Sequence, residues 1–244
     1  MNWRSVRRAL WLCGLAWAGP GIAQDFPRVQ FIYGDLTFDR NCEKWLNTKI
    51  DQSWANEVRA RIGSWQDFWD KEAPLLLGTT VSEMGRPFRH GEAVAVLTLC
   101  PISSMSVPLL INVRRFIDGP TQGNPQPMFL FSALVFHELL HTYIGRYKSL
   151  DSSLIEKYKN EPLLVLTHVH LMAVMKHVYL KLGRAEQLRE IVARDSASDD
   201  PGYRRAWQIV NDIEGHEAFV KEFKAARLGR GGGEESLAVT TQRR

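Results

Sequence analysis

Two histidines and a glutamate near the middle of the chain have the types and spacing of a catalytic metal site. Residues 137–141 read HELLH, so His137 and His141 stand four positions apart, with Glu138 next to the first. On an α-helix, positions i and i+4 share a face, and both imidazoles can bind one metal ion. Zinc lowers the pKa of a bound water toward about 7, and Glu138 could take its proton as general base. The motif therefore predicts a Zn²⁺ site built on these three residues.

Carboxylates near the C-terminus are candidates for the third metal ligand. A helix is predicted over residues 203–228, and its apolar face carries Trp207, Val210, Ile213 and Val220. Glu214 and Glu217 are expected to point inward with that face, where a buried carboxylate needs a partner. One of them could bind the metal and the other could orient a ligand histidine. The alternative is an ordinary salt bridge to Lys or Arg.

Two further residues compete for the same role. His168 lies among apolar residues on a helix predicted over residues 160–182, where it is either a ligand or an ordinary core histidine. Glu161 stands in the first turn of that helix, which suits the helix dipole, and its spacing from the motif also allows a ligand. His170 and His177 are expected on a solvated face. The third ligand therefore stays open among Glu214, His168, Glu217 and Glu161.

The elements that must position these residues form an α+β arrangement. Hydrophobic patterning predicts strands at residues 28–33, 93–99 and 106–113, and helices at residues 53–69, 128–144, 160–182, 185–194 and 203–228. Asn160 is the expected N-cap of the helix at 160–182, with Pro162 in its first turn. The HELLH motif thus falls in mid-helix, after a small sheet with one helix and before a helical half.

Length and composition bound the class of protein. The 244 residues are 45% hydrophobic and 24% charged, proportions that exclude a disordered chain, a collagen and a coiled coil. The formal charge of +4 includes three arginines near the N-terminus and falls to +1 without them. Nothing in this charge balance requires nucleic acid or an anionic membrane as a partner.

The N-terminus has the pattern of a cleaved export signal. Arg4, Arg7 and Arg8 precede an apolar run over residues 9–18, and small residues follow at the cleavage positions up to Ala23. The run is shorter than the roughly 20 residues that span a bilayer, which argues against a stable membrane anchor. We therefore expect residues 1–23 to be removed, residues 24–228 to form one domain and residues 229–244 to be a disordered tail. The mature protein would be secreted or periplasmic.

The cysteine content agrees with export. Cys13 leaves with the signal, so the mature chain keeps Cys42 and Cys100. In an oxidising compartment two cysteines most simply pair, and two buried thiols are the alternative. The sequence thus favours a disulfide between Cys42 and Cys100.

The export signal, the strand-rich first half and HELLH on a central helix resemble the zincin metallopeptidases. The metzincin pattern HExxHxxGxxH does not fit, because Gly145 comes one place late and Tyr147 stands at the final histidine position. Gluzincins take a glutamate from a later helix, in several families within EGxA, and residues 213–219 read IEGHEAF, with the alanine one place late. The resemblance implies a zincin-like α+β fold and Glu214 as the third zinc ligand beside the two motif histidines.

The same resemblance implies groups that bind the substrate and stabilise a tetrahedral oxyanion. Candidates for the oxyanion contact are Tyr143, Tyr179 and His216, and the sequence does not distinguish between them. The strand at residues 106–113 is either an edge strand to which an extended peptide adds, or a core strand.

The predicted function is that of an exported zinc-dependent peptidase, which hydrolyses a peptide or protein substrate with a zinc-bound water activated by Glu138. One alternative is a non-catalytic zinc-binding protein on the same scaffold in the periplasm, because a fold does not fix a function. Another is a structural protein in which HELLH is coincidental and no metal binds. The sequence carries no signal for cleavage specificity or oligomeric state.

Overall fold

A computed structural model of the protein describes residues 25–147 and 152–226. These residues form an α+β fold, which confirms the α+β part of the prediction. A small mixed sheet comes from the first half of the chain, and helices make up the second half. The signal predicted at residues 1–23 and the tail predicted at residues 229–244 lie outside the described residues.

The sheet of the described residues contains four strands: β1 (Arg28–Tyr33), β2 (Glu92–Thr98), β3 (Met105–Ser106) and β4 (Leu109–Asn112). Their order is β1-β2-β4-β3, with β1, β2 and β4 parallel and β3 antiparallel at the edge. The strand predicted at residues 106–113 is two short strands, because the chain reverses at Val107-Pro108 and proline has no N–H for a strand ladder. The two other predicted strands are confirmed within one residue at each end.

The helices of the described residues are α1 (Arg40–Trp45), α2 (Gln52–Met84), α3 (Asp118–Thr121), α4 (Met128–Tyr147), α5 (Ser153–Lys157), α6 (Leu163–Lys181), α7 (Ala185–Ser196), α8 (Pro201–Gln208) and α9 (His216–Ala225). The helix predicted at residues 53–69 is much longer as α2, which continues through Pro74 and ends at Gly85 in the left-handed conformation. Its Trp65 stacks on Phe131 of α4, so α2 and α4 share one core.

The start of α6 differs from the prediction, and so do the surroundings of two of its histidines. Pro162 is the N-cap, with extended backbone at ψ 149°, so Asn160 does not cap the helix. A residue that precedes proline is disfavoured in the helical conformation, which explains the later start. His170 is buried and His177 contacts Glu83, although a solvated face was expected for both. The reason is that α2, α4, α8 and α9 all pack around α6.

The single helix predicted at residues 203–228 is broken in the structure. α8 is followed by a π-helical turn at Ile209–Ile213, and Gly215 then adopts a φ of +79° before α9 begins. A π turn and a left-handed glycine rotate the residues that follow, so the predicted inward face does not continue. Ile213 and Glu217 are consequently exposed, contrary to the predicted pattern.

α4 and α6 run through the centre of the helical half. Windows in these two helices, Met128–Gly145 and Leu163–Lys181, are long and apolar enough to cross a membrane by length and composition alone. Within the fold, however, 67% and 61% of these windows are buried against other elements. A helix that is hydrophobic on all sides is typical of the core of a folded domain, and the packing of α4 and α6 accounts for their composition.

The predicted disulfide between Cys42 and Cys100 is confirmed. Cys42 lies in α1 and Cys100 follows β2, and both are buried. Beside this disulfide, the buried carboxylate of Asp39 accepts hydrogen bonds from the Thr98 hydroxyl and the Leu99 amide. The segment around α1 is therefore attached to the end of β2 by a covalent bond and by hydrogen bonds.

Glu222 of α9 joins three helices through its carboxylate. It accepts hydrogen bonds from the Ser152 hydroxyl at 2.6 Å and the Leu154 amide at 3.0 Å, at the start of α5, and it lies 2.8 Å from Nε2 of His170 on α6. Burial alone would raise the pKa of Glu222, but these bonds to the charged form outweigh burial and lower the pKa from 4.5 to about 2. The folded protein therefore favours the carboxylate.

We predict that Glu222→Gln destabilises the protein by about 1–3 kcal/mol at neutral pH, because buried donors lose a charged acceptor. Because the pKa of Glu222 is lower in the folded than in the unfolded protein, its ionisation stabilises the fold above pH 4.5. This stabilisation is lost as the pH falls toward 2. The difference in free energy of unfolding between wild type and variant, measured by urea titration, should shrink across this window. Glu186→Gln, in an exposed pair, is the control with little effect. A difference that stays constant across the window would contradict the assignment.

Candidate metal centre

Three histidines from two core helices converge at one point. His137 and His141 lie one turn apart on α4, and their Nε2 atoms are 3.2 Å from each other. His168 of α6 joins them, with its ring centroid 5.2 Å from that of His137 and 4.7 Å from that of His141. One ligand atom from each residue lies within 4.8 Å of the others. The arrangement is a His₃ group that could bind a metal ion.

The hydrogen bonding of His168 supports this interpretation. Its Nδ1 lies 2.7 Å from the carbonyl oxygen of Leu164, so Nδ1 carries the proton and Nε2 keeps its lone pair. Nε2 is buried and has no hydrogen-bond partner among the described residues. An acceptor left unpaired in the interior costs free energy, and a bound cation would remove that cost. Ligand histidines commonly use the second nitrogen in this way to fix the ring.

Burial keeps all three imidazoles neutral. It lowers the pKa of His137 well below its ordinary value, with further lowering by His168 and His141. Burial and the neighbouring His168 lower the pKa of His141 to about 4, and burial also lowers the pKa of His168. Neutral imidazole is the form that binds metals, so the site presents three nitrogen ligands without prior loss of protons at pH 7. Such a set suits zinc and related transition metals.

Glu138 follows His137 on α4 and is itself buried. Burial raises the pKa of its carboxyl to about 7. A carboxyl group with this pKa can exchange protons near neutral pH, as a general base requires. The structure thus brings the sequence-predicted His137 and His141 together with His168, and Glu138 is the buried residue that follows His137 on α4.

Tyr203 is a component of the site that the sequence did not reveal. It stands in the first turns of α8, with its ring centroid 4.9 Å from that of His168 and 6.3 Å from that of His137. Burial raises the pKa of Tyr203, and the charge of Glu138 raises it further, so the phenol keeps its proton. In the sequence, Tyr203 is the first residue of the helix predicted over residues 203–228, and no motif surrounds it. Only the packing of α8 against α6 brings it to the histidines.

The carboxylates considered as third ligands all have other partners. Glu214 forms an ion pair with Lys157 and accepts a hydrogen bond from the Tyr158 hydroxyl at 2.7 Å. Glu161 pairs with Arg205, and the exposed Glu217 lies 3.0 Å from Nδ1 of His216. The group that could hold a metal ion among the described residues contains none of these three carboxylates. The salt bridge that was the alternative for Glu214 is the arrangement observed.

The residues considered for the oxyanion contact are also engaged elsewhere. The Tyr143 hydroxyl donates to the carbonyl oxygen of Arg86 at 3.0 Å, in a buried position. Tyr179 is buried with its ring against Phe136. His216 begins α9 and contacts His177. These interactions connect helices, and the tyrosine beside the His₃ group is Tyr203.

Comparisons with protein-family models, with curated proteins and with solved structures find no match to this chain. The interpretation of the site therefore depends on its own residues.

We predict that His168→Ala abolishes stoichiometric metal binding, because the site then keeps only two of its three nitrogens. Glu214→Ala, which removes the glutamate of the EGxA-like segment, should bind as much metal as wild type. The measurement is zinc per chain by mass spectrometry, after purification without a metal-affinity tag and equilibration with buffered zinc. Metal loss in Glu214→Ala together with retention in His168→Ala would contradict the assignment of the three histidines as the ligands.

Proposed function

We propose that the protein is an exported zinc-dependent peptidase with a zincin-like active site. One observation carries the proposal: Nε2 of His168, which is buried without a hydrogen-bond partner among the described residues, completes a group with the two histidines of HELLH, the motif that also contains the buried Glu138. In this proposal His168 is the third ligand instead of Glu214, so the site departs from the gluzincin pattern. Its ligands are His137, His141 and His168.

A bound zinc ion would supply a Lewis acid that polarises the scissile carbonyl and lowers the pKa of water. The chain's own residues would handle the protons. Glu138 takes a proton from the attacking water and later delivers it to the leaving amine. Its pKa of about 7 suits both transfers, since neither protonation state is strongly favoured at neutral pH.

Tyr203 would stabilise the charge that develops on the carbonyl oxygen. Its phenol keeps its proton, because burial and the nearby Glu138 raise its pKa, and it can donate a hydrogen bond. A preorganised donor in a water-poor site acts without reorganisation during the reaction. The substrate in this proposal is a peptide or protein in extended form, which adds to the sheet along β3, the edge strand that packs against α4.

The cellular location is part of the same proposal. The Cys42–Cys100 disulfide agrees with an oxidising compartment, as expected for a secreted or periplasmic protein. The predicted signal at residues 1–23 gives the route of export.

A non-catalytic zinc-binding protein is the second candidate function. It would need the three histidines but would have no use for a titratable carboxyl beside them, and burial of Glu138 without function costs free energy. The two candidates therefore differ at Glu138. A protein in which HELLH binds no metal is a third reading, and the buried unpaired Nε2 of His168 argues against it.

We predict that Glu138→Gln lowers the rate of cleavage of fluorescein-labelled unfolded casein by about 10²–10⁴-fold, the usual contribution of a general base. Zinc per chain should stay as in wild type, because Glu138 is not a ligand. Glu217→Gln, at an exposed position of α9, is the matched control and should cleave normally. Normal cleavage by Glu138→Gln would contradict the peptidase mechanism, and wild type that holds zinc without cleaving would favour the non-catalytic candidate.

We predict that Tyr203→Phe lowers kcat about 10²-fold with a much smaller change in KM, because the lost hydrogen bond forms in the transition state. Tyr158→Phe is the control, since Tyr158 bonds to Glu214 in the structure and has no part in the proposed reaction. Steady-state kinetics on the same labelled casein measures both parameters. A kcat for Tyr203→Phe within twofold of wild type would remove this residue from the mechanism.

A further inference from the structure

One edge of the sheet is already occupied by a side chain. Gln66 of α2 accepts a hydrogen bond from the Phe31 amide at 2.9 Å, and its Nε2 donates to the Val29 carbonyl at 2.9 Å. Its amide group thus takes the place of a neighbouring strand along β1. A peptide that added there would have to displace it, so the sheet offers its opposite edge, at β3.

The chain that leads into β3 begins with a tight turn, in which the Ile102 amide donates to the Cys100 carbonyl oxygen at 2.8 Å, and then continues into β3. From residue 101 to residue 107 exposure alternates, and the exposed positions are Pro101, Ser103, Met105 and Val107. Every second residue of this stretch is therefore exposed to solvent. We refer to residues 100–106 as the edge segment. It ends in β3, which packs against α4, the helix of His137 and Glu138.

A single side chain holds the middle of the edge segment. Nδ2 of Asn112 donates to the carbonyl oxygens of Cys100 at 3.0 Å and Ile102 at 2.7 Å. The backbone N–H of Asn112 donates to the Ser104 hydroxyl at 3.0 Å. Oδ1 of Asn112 accepts from the Arg114 amide at 3.0 Å, which fixes the orientation of the amide group. One asparagine therefore contacts every second residue of the edge segment from the β4 side.

The start of the edge segment is fixed as well. Cys100 is tied to α1 through the disulfide, and its amide donates to the Thr98 hydroxyl at 3.0 Å. The Leu99 amide donates to the buried Asp39, and the Leu99 carbonyl accepts from Arg114 at 3.3 Å. These contacts leave the segment little freedom before any ligand arrives.

We infer that Asn112 and the Cys42–Cys100 disulfide are positioning groups for substrate, which hold the edge segment in the conformation that receives an extended peptide beside the metal helix. This inference depends on the proposed peptidase function. A peptide that adds to a mobile loop must also order that loop, and the lost conformational entropy weakens binding. An edge that is already ordered avoids this loss. Neither group belongs to the His₃ group, so the expected effect of replacing them is on substrate binding and not on the chemical step.

The test compares Asn112→Asp with Asn211→Asp in casein cleavage. Asn112→Asp keeps the acceptor for Arg114 but replaces the donor by an oxygen that faces two carbonyls. KM should rise about tenfold or more, with kcat within about twofold and zinc per chain unchanged. Asn211→Asp is the matched control, because Asn211 accepts a hydrogen bond from Lys176 in the helical half and its replacement should leave both parameters unchanged.

Two further measurements separate this inference from the proposed function. The first repeats the comparison in the Glu138→Gln background, with the anisotropy of labelled casein as a binding readout that needs no turnover. Weaker binding with Asn112→Asp would support the inference even if wild type cleaved nothing. The second uses the double variant Cys42→Ala/Cys100→Ala, which should raise KM in the same way. An unchanged KM and unchanged binding, or loss of zinc in both Asn112→Asp and the double variant, would overturn the inference.

Discussion

The structure depends on one constraint: three imidazole nitrogens converge between two core helices, one of which also buries the carboxyl group of Glu138. Burial of each of these polar groups costs free energy unless the group has a hydrogen-bond or metal partner. Nε2 of His168 has no hydrogen-bond partner among the described residues. To bring the histidines together, α4 and α6 must be in contact where His137, His141 and His168 stand. Because interiors pack densely, that requirement fixes the neighbours of both helices as well.

The remaining elements keep those two helices in place. The sheet and α2 support α4 through aromatic contacts such as Trp65 with Phe131. α9 is fastened to α5 and α6 by Glu222, and α7 is fastened to α2 by the ion pair of Arg184 with Glu72. α8 is positioned so that Tyr203 lies against His168. A site with a few convergent polar groups inside an apolar scaffold is the arrangement that enzymes and ligand-binding proteins share.

The local sequence pattern was sufficient to predict the parts of the site that lie on one regular helix. HELLH needs only the helical period, and His137, Glu138 and His141 are where that period predicts. The disulfide followed from compartment and cysteine count. The third histidine could be named only as an alternative, since its role depends on how α6 packs against α4. Glu214 lies in an ion pair with Lys157, and the π turn at Ile209–Ile213 and the left-handed Gly215 interrupt the helix that was assumed around it; neither feature has a periodic signature. Tyr203 could not be found, because its partners are distant in sequence.

The most direct test of the account is X-ray absorption at the zinc edge on the mature protein loaded with one equivalent of zinc. The proposed site should show a four-coordinate zinc ion with three imidazole ligands, recognised by their multiple scattering, and one oxygen ligand at a zinc–oxygen distance of about 2.0–2.1 Å. His168→Ala should reduce the imidazole count from three to two or leave no bound zinc. A wild-type spectrum with two imidazoles and a protein carboxylate, or a protein that binds no zinc, would contradict the central claim.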